Sequence, residues 1–286
     1  MPELPEVETI VRRLGEVLPN KIFSGITVFK EKSFLGDYQS IIGLPILALS
    51  RRAKLIRIHL PDGLNLLAHL KMTGQFIYVD TNGSRLGGGH PTDDWVKELP
   101  SSHTRIFFKL QDVTGKNQSL FFNDQRIFGW VRLASDAEVD REYTKYGPDI
   151  HTDAASLEYF SQKLSKTGRK IKQVIMDNSV VSGVGNIYAC DGLNLCKLHP
   201  ERKANLLTAS ETSQLLGALK SVIGLGIDLG GATIDNYRTV DGFAGKYQDH
   251  VRVYGKDGAA CQNCGGIIQK TKIGGRGTFF CPNCQV

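Results

Sequence analysis

Residues 105–133 read RIFFKLQDVTGKNQSLFFNDQRIFGWVRL. Three apolar runs lie within this stretch, at 105–110, 119–123 and 128–133, with polar, turn-forming residues between them. Runs so short, rich in Phe, Ile, Leu and Val, read as β-strands. The same texture recurs upstream at 22–29, 54–60, 64–70 and 75–79. Spaced in this way, the runs predict an antiparallel β-sandwich domain over residues 1–133. The polar, Gly-rich stretch 82–102 reads as a long mobile loop.

On either side of the strand-rich region the period becomes helical. Val7, Ile10, Val11, Leu14, Val17 and Leu18 share one helical face, so 5–18 is expected to form an amphipathic helix flanking the sandwich. The charged stretch 134–150, closing on Gly147-Pro148, reads as a linker. Beyond it, 154–164 is amphipathic, and Thr208-Ala-Ser-Glu211 is a capping box before a helix to about residue 225. Between these, Val181-Ser-Gly-Val-Gly-Asn186 reads as a glycine-opened helix start where backbone amides and an asparagine amide could hold a phosphate, or as a tight turn between helices. The fold class is therefore α+β, with a helical domain at 151–245 and a separate module at 246–286.

That module carries Cys261-Gln-Asn-Cys264 and Cys281-Pro-Asn-Cys284, two pairs separated by sixteen residues. This is zinc-ribbon spacing. Four thiolates close a tetrahedral shell with no open position, so one structural Zn2+ is expected rather than a catalytic one. Two disulfides are the competing reading, disfavoured because no secretory signal is read at the N-terminus. A module this small has little core, and zinc affinity on the order of 10 to 16 kcal/mol would make its folding metal-dependent.

The net charge of +6 arises from 35 basic and 29 acidic residues. Much of the excess lies in 246–286, where Lys246, Arg252, Lys256, Lys270, Lys272 and Arg276 face only Asp249 and Asp257. A basic ribbon suits a polyanion, most commonly nucleic acid. No apolar run is long enough to span a bilayer.

The N-terminus reads Met-Pro-Glu-Leu-Pro-Glu-Val-Glu-Thr. Removal of Met1 would leave Pro2 as a free secondary amine. An α-amino group titrates near ~7.7 to 8.0 and a lysine near ~10.4, so neutralising a chain end is about 3.4 kcal/mol easier. Pro5 suits the first turn of a helix, whose positive end disfavours a nearby ammonium, and Glu3 adds a carboxyl group beside the amine. Taken alone, the segment reads equally as a rigid lead into the helix.

Taken together, the chain resembles the bacterial formamidopyrimidine-DNA glycosylases, of the same superfamily as the endonuclease VIII proteins. The resemblance rests on Pro2-Glu-Leu-Pro-Glu-Val-Glu8, Arg51-Arg-Ala-Lys54, His69-Leu-Lys-Met-Thr-Gly74, Asp124-Gln-Arg-Ile-Phe-Gly129, Met176-Asp-Asn, Gly183-Val-Gly-Asn-Ile-Tyr188, His199-Pro200, Val253-Tyr-Gly255 and the four cysteines. It implies a β-sandwich opposed by a helix-two-turn-helix domain with a zinc finger, and double-stranded DNA bearing a damaged base or abasic site in the cleft between. It implies an enzyme that excises oxidised purines, 8-oxoguanine and formamidopyrimidines, and cuts the abasic site by β,δ-elimination. Pro2 would attack C1′, Glu3 would protonate the sugar ring oxygen, Lys54 would serve β-elimination, and Arg276 would serve δ-elimination and phosphate binding. Met72, Arg126 and Phe128 would fill the gap left by the flipped nucleotide, Asn186 would hold backbone phosphate, and residues 235–243 would cover the flipped base. A cytoplasmic, nucleoid-associated monomer is implied.

Three positions depart from the family pattern: Ile127 where a second basic residue is usual, Ser101 where a histidine is usual, and Thr167 where a basic contact is usual, although Lys166 and Arg169 flank it. None is a proposed chemical group, so the chemistry is expected intact and the affinity lowered. Two other readings compete: an endonuclease VIII-like glycosylase for oxidised pyrimidines, and a zinc-ribbon DNA-binding protein without catalysis.

Overall fold

Alternation along the strands sorts their side chains into a buried and an outer set. In β8 (Thr104–Gln111), Ile106, Phe108 and Leu110 are buried, and in β9 (Asn117–Asp124) Leu120 and Phe122 are. These strands belong to a five-stranded sheet in the order β1 (Ile22–Val28), β8, β9, β6 (Gly74–Val79), β7 (Arg85–Gly89). A second sheet runs β2 (Phe34–Leu35), β10 (Trp130–Ser135), β5 (Leu64–His69), β4 (Leu55–His59), β3 (Ala48–Arg52). Pairing is antiparallel throughout except for β2 with β10. Phe23, Phe76, Phe108 and Phe122 of the first sheet and Ile56, Ile58, Leu66 and Val131 of the second share one apolar core. Helix α1 (Leu4–Val17) adds Val7, Ile10, Val11 and Leu14 to it, as its periodicity predicts.

The structure is a computed structural model that describes residues 2–89, 98–232 and 245–286. The chain divides into two units, Met1–Thr144 with Gly230–Gly245 and Lys145–Leu229 with Lys246–Val286. The base-covering loop expected at 235–243 lies outside the described residues.

Two expectations are corrected. Within 82–102, residues Arg85–Gly89 form β7, paired to β6. In the stretch read as a linker, Asp136–Tyr143 form helix α2, which Ser135 and Glu138 open with a reciprocal capping box. Its single buried residue, Val139, packs with Leu67 and Ala134, so this helix belongs to the first unit.

The second unit contains α3 (Leu157–Ser165), α4 (Ile171–Ile175), α5 (Asn186–Leu195), α6 (Ala209–Asp228) and a hairpin of β11 (Gln269–Ile273) and β12 (Arg276–Phe280). Thr208 and Glu211 form the expected capping box at the start of α6. Helix α5 is buried along most of its length between α6 and β12. The ribbon is continuous with the helices: Cys190 of α5 shares a core with Val253, Cys261, Ile268, Phe279 and Cys281.

The chain crosses from the second sheet to the first between β5 and β6, and back between β9 and β10. Gly74 ends the first crossing with its N–H on the Leu70 carbonyl at 2.8 Å, and a Cβ there would lie 2.4 Å from that oxygen. Gly74→Ala is therefore expected to destabilise the first unit by about 1–3 kcal/mol. Gly15→Ala, on an open face of α1 with nothing within 4 Å, should stabilise it by about 0.5–1 kcal/mol. Calorimetric unfolding of both variants checks the contrast, and a Gly74→Ala midpoint at or above wild type would contradict it.

Candidate functional site

Glu3 caps α1, and its backbone N–H donates to Glu6 Oε2 at 2.8 Å. Pro5 occupies the first turn, where its missing N–H costs no hydrogen bond. Pro2 and Glu3 are buried. The other Glu6 oxygen accepts the Ala232 N–H at 2.6 Å. One turn further on, Glu8 accepts Arg51 Nε at 2.7 Å, while the same guanidinium donates to the Ala53 carbonyl at 2.7 Å. Burial pushes the Glu8 carboxyl up, but hydrogen bonds and charge from Arg51 and then Arg12 outweigh it and hold the group below its ordinary value. This pair ties α1 to the β3–β4 turn.

Lys54 sits in that turn. Arg52 and Leu55 pair across it, Ala53 takes the left-handed conformation at φ 55°, and Lys54 is only 7% exposed. It is thus a buried turn residue and not a solvated strand residue. Leu55 is the strand partner of His69, whose pKa falls to about 3, first through burial and then through the charges of Lys71 and Lys54. His69 Nδ1 accepts the Lys71 N–H at 2.9 Å, which leaves the proton on Nε2.

The three proposed gap-filling residues come together where the chain crosses between sheets. Arg126 lies 4.9 Å over the Phe128 ring and donates to Met72 Sδ at 3.1 Å. Met72 is 40% exposed and Phe128 53%. Asp124, buried at the base of the loop, accepts from Thr73 Oγ1 and from the N–H groups of Arg126, Phe128 and Gly129. Ile127 adopts φ 54° between the two wedge residues.

In the second unit, Gly185 caps α5 and Asn186 opens it. Lys172, 1% exposed, donates to Asn186 Oδ1 at 2.7 Å, Thr278 Oγ1 at 2.6 Å and the Gly277 carbonyl at 3.2 Å. Asn186 Nδ2 donates to the same carbonyl at 3.0 Å. Asn186 and strand β12, which begins with exposed Arg276, are therefore joined through one buried lysine. Asp191 in α5 accepts the N–H groups of Arg252, Val253 and Tyr254 and the Tyr247 hydroxyl, anchoring the lead into the ribbon. Burial raises its pKa against those donors. Of the family departures, Ser101 accepts the His103 N–H at 3.1 Å and Thr167 accepts the Arg169 N–H at 3.3 Å, while Arg169 pairs with Asp177 at 2.9 Å.

The four ribbon thiols lie within 4.8 Å of one another. Cys261 and Cys284 are 3.8 Å apart and Cys264 and Cys281 3.5 Å. A tetrahedron with Zn–S bonds of ~2.3 Å has edges near ~3.8 Å, so the set fits one zinc ion. Around it, Gln285 Oε1 accepts the Cys281 N–H at 2.8 Å and Asn194 Nδ2 at 3.1 Å.

Arg51, Asp124, Lys172 and Asp191 are absent from the sequence-derived site. Single polar residues within strands and helices give no local signal of burial.

Two outcomes follow from these environments. His69 is neutral in both folded and unfolded chains above pH 6.5; below that the unfolded chain takes a proton that the folded one refuses until about pH 3. Stability contributed at His69 is thus present above pH 6.5 and lost as pH falls, by roughly 2 kcal/mol between pH 6.5 and 4.5. The stability difference between wild type and His69→Gln, measured at pH 7, 6, 5 and 4.5, should shrink accordingly; a constant difference contradicts the assignment. Cys281→Ser should release zinc, unfold the hairpin and abolish DNA affinity while the sandwich stays folded. Normal DNA affinity in the chelated protein would argue against a structural metal.

Comparison with known proteins agrees along the whole chain. Residues 1–131 match the formamidopyrimidine-DNA glycosylase N-terminal domain, 146–238 the formamidopyrimidine-DNA glycosylase H2TH domain, and 258–286 the zinc finger found in FPG and IleRS. The formamidopyrimidine-DNA glycosylases of Desulforamulus reducens and Listeria innocua are each 36% identical to this chain over its full length, covering 99% and 100% of their own. The structure of Lactococcus lactis Fpg in complex with abasic-site DNA is similar at a TM-score of 0.87, with 31% identity and 99% of each chain covered. A mutant of that protein bound to Fapy-dG-containing DNA gives 0.87 and 32% at the same coverage. The chain belongs to the formamidopyrimidine-DNA glycosylase family.

Proposed function

We propose that this chain is a base-excision repair enzyme that excises oxidised purines, 8-oxoguanine and formamidopyrimidines, from double-stranded DNA and cleaves the abasic site by β,δ-elimination. The observation that carries this reading is full-length similarity to proteins solved with Fapy-dG-containing and abasic-site DNA. Exposed Met72 and Phe128 flanking Arg126 support it, because a flipped nucleotide leaves a gap that apolar side chains can fill.

Once Met1 is removed, the neutral Pro2 amine attacks C1′ and the damaged base departs with the electrons of the glycosidic bond. Glu3 protonates the ring oxygen, the ring opens, and the N–C1′ bond becomes an iminium. The iminium acidifies C2′, splitting one difficult cleavage into easier steps. Lys54 removes the C2′ proton and the 3′ phosphate leaves. Loss of a further proton expels the 5′ phosphate, whose charge Arg276 offsets. Water then releases the unsaturated sugar fragment from Pro2. Asn186 Nδ2 gives one of its two N–H groups to the Gly277 carbonyl, so its phosphate contact is assigned to the second, together with the backbone N–H groups that open α5. Bound zinc would fix the hairpin carrying Arg276.

The enzyme is expected to act as a monomer in the cytoplasm, on the nucleoid. Among the described residues no helix is long and apolar enough to cross a membrane.

Borohydride added to protein with lesion-bearing duplex should freeze the iminium as a covalent protein–DNA adduct. Pro2→Gly, a primary amine, should trap less, and a tag blocking the N-terminus should abolish trapping. Full activity from tagged, unprocessed protein would rule out the nucleophile.

A further inference from the structure

Met72 and the pair Arg126 and Phe128 come from segments more than fifty residues apart, and one carboxylate joins them. Asp124 Oδ1 accepts the Thr73 hydroxyl and the Arg126 N–H at 3.2 Å; Oδ2 accepts the N–H groups of Phe128 at 2.8 Å and Gly129 at 2.7 Å. The Thr73 hydroxyl also accepts the Arg126 N–H at 3.0 Å. Asp124 is itself fixed, since Arg105 Nε donates to its carbonyl at 2.7 Å and its own N–H donates to the His103 carbonyl at 2.9 Å. Each wedge residue thus lies within one residue of a group bonded to the same 1% exposed side chain.

We propose that Asp124, through Thr73, is a positioning residue for the wedge, holding Met72, Arg126 and Phe128 at their insertion spacing before DNA arrives. The inference rests on reading those three side chains as the gap fillers. A carboxylate that only closed its own turn would need nearby N–H groups alone. Here Oδ1 reaches across to the other sheet crossing, so the spacing between the two loops, and not only the shape of one, depends on it. Ordering two exposed loops at the moment of insertion would oppose binding; ordering them on folding removes that penalty from the flipping step. Every group on the carboxylate is a donor, so both oxygens must accept, and an amide can satisfy only one of the two sides.

Thr73→Val keeps the side-chain shape and removes the link between loops. Wild type, Thr73→Val and Thr73→Ser are compared on a duplex carrying 8-oxoguanine opposite cytosine or adenine, and by borohydride trapping on a single-stranded abasic oligonucleotide, which has no gap to fill. Thr73→Val should slow duplex excision about tenfold and lower the cytosine-to-adenine preference several-fold, with single-strand trapping at the wild-type level. Thr73→Ser should return both duplex readouts to within about twofold of wild type. An equal loss on both substrates, or no loss on either, overturns the inference. Should Thr73→Val not fold, Asp124→Asn carries the same expectations, and unfolding of both would show a purely structural role. Wild-type protein that neither excises nor traps would instead refute the enzymatic reading; the opposite-base preference in binding an uncleavable abasic duplex would still test the wedge.

Discussion

Two pairs of strand partners fix where the chain passes between sheets: Gly74 with Asp124 in one, His69 with Trp130 in the other. Because β6 pairs with β9 and β5 with β10, the two crossings are forced to lie side by side. A slip of one residue in either pairing would turn Phe76 and Phe122, or Ala68 and Val131, out of the shared core. The core therefore dictates the register, and the register places Met72 beside Arg126 and Phe128. Local sequence around those three residues does not specify their meeting; the burial of phenylalanines further along the same strands does.

A second constraint is electrostatic. Arg51 with Glu8, Lys172 with Asn186 and Thr278, and Asp191 with the backbone of 252–254 all remove charge from water, which is unfavourable unless each donor or acceptor is matched. Each sits at a junction, of α1 with the β3–β4 turn, of α4 with the hairpin, and of α5 with the lead into the ribbon. Lys54 follows the carbonyl that Arg51 holds by one residue, and Arg276 precedes the carbonyl that Lys172 holds by one. Such bonds add little net stability compared with a well-packed apolar contact. They define one geometry, because a shifted junction would strand a buried charge.

The sequence made the helices and the long strands legible because their apolar residues keep a period. β7, Arg-Leu-Gly-Gly-Gly, was hidden by its glycines, which lower strand propensity. Gly87 takes φ 145°, and a Cβ there would sit 2.0 Å from the Phe76 carbonyl, so glycine is what lets this edge approach β6. β3 carries two arginines and a serine and shows no alternation, since as an edge strand it is partly exposed throughout. Helix α2 buries a single valine, too few for a periodic signal, although Ser135 and Glu138 stand at capping-box spacing and could have revealed it. Of the candidate site, the cysteines were readable from spacing alone. The wedge needed the family resemblance, because Met and Phe at the end of a strand normally read as core. The roles of Asp124 and Lys172 were not readable, since the contacts that give them those roles, Thr73 for Asp124 and Thr278 for Lys172, are distant in sequence.

Exposed apolar side chains are common singly, and what separates Met72 and Phe128 is the arginine held against both. Arg126 over the ring contributes about 0.5–1 kcal/mol at an exposed site, enough to bias the rotamers and too little to bury the ring. The apolar area stays in reserve: covering roughly 100 Å² of ring would yield about 2.5 kcal/mol, similar to the few kcal/mol needed to extrude a nucleotide. Ile127 shows what keeping that reserve requires. A β-branched residue at φ 54° lies where few such residues are found, and it sits between the two N–H groups bonded to opposite oxygens of Asp124. A chain free to relax would turn Ile127 back to negative φ and reorient the Phe128 backbone that follows it. With both flanking N–H groups fixed on one buried carboxylate, that relaxation would break two hydrogen bonds, and the ring stays in solvent where a duplex can reach it.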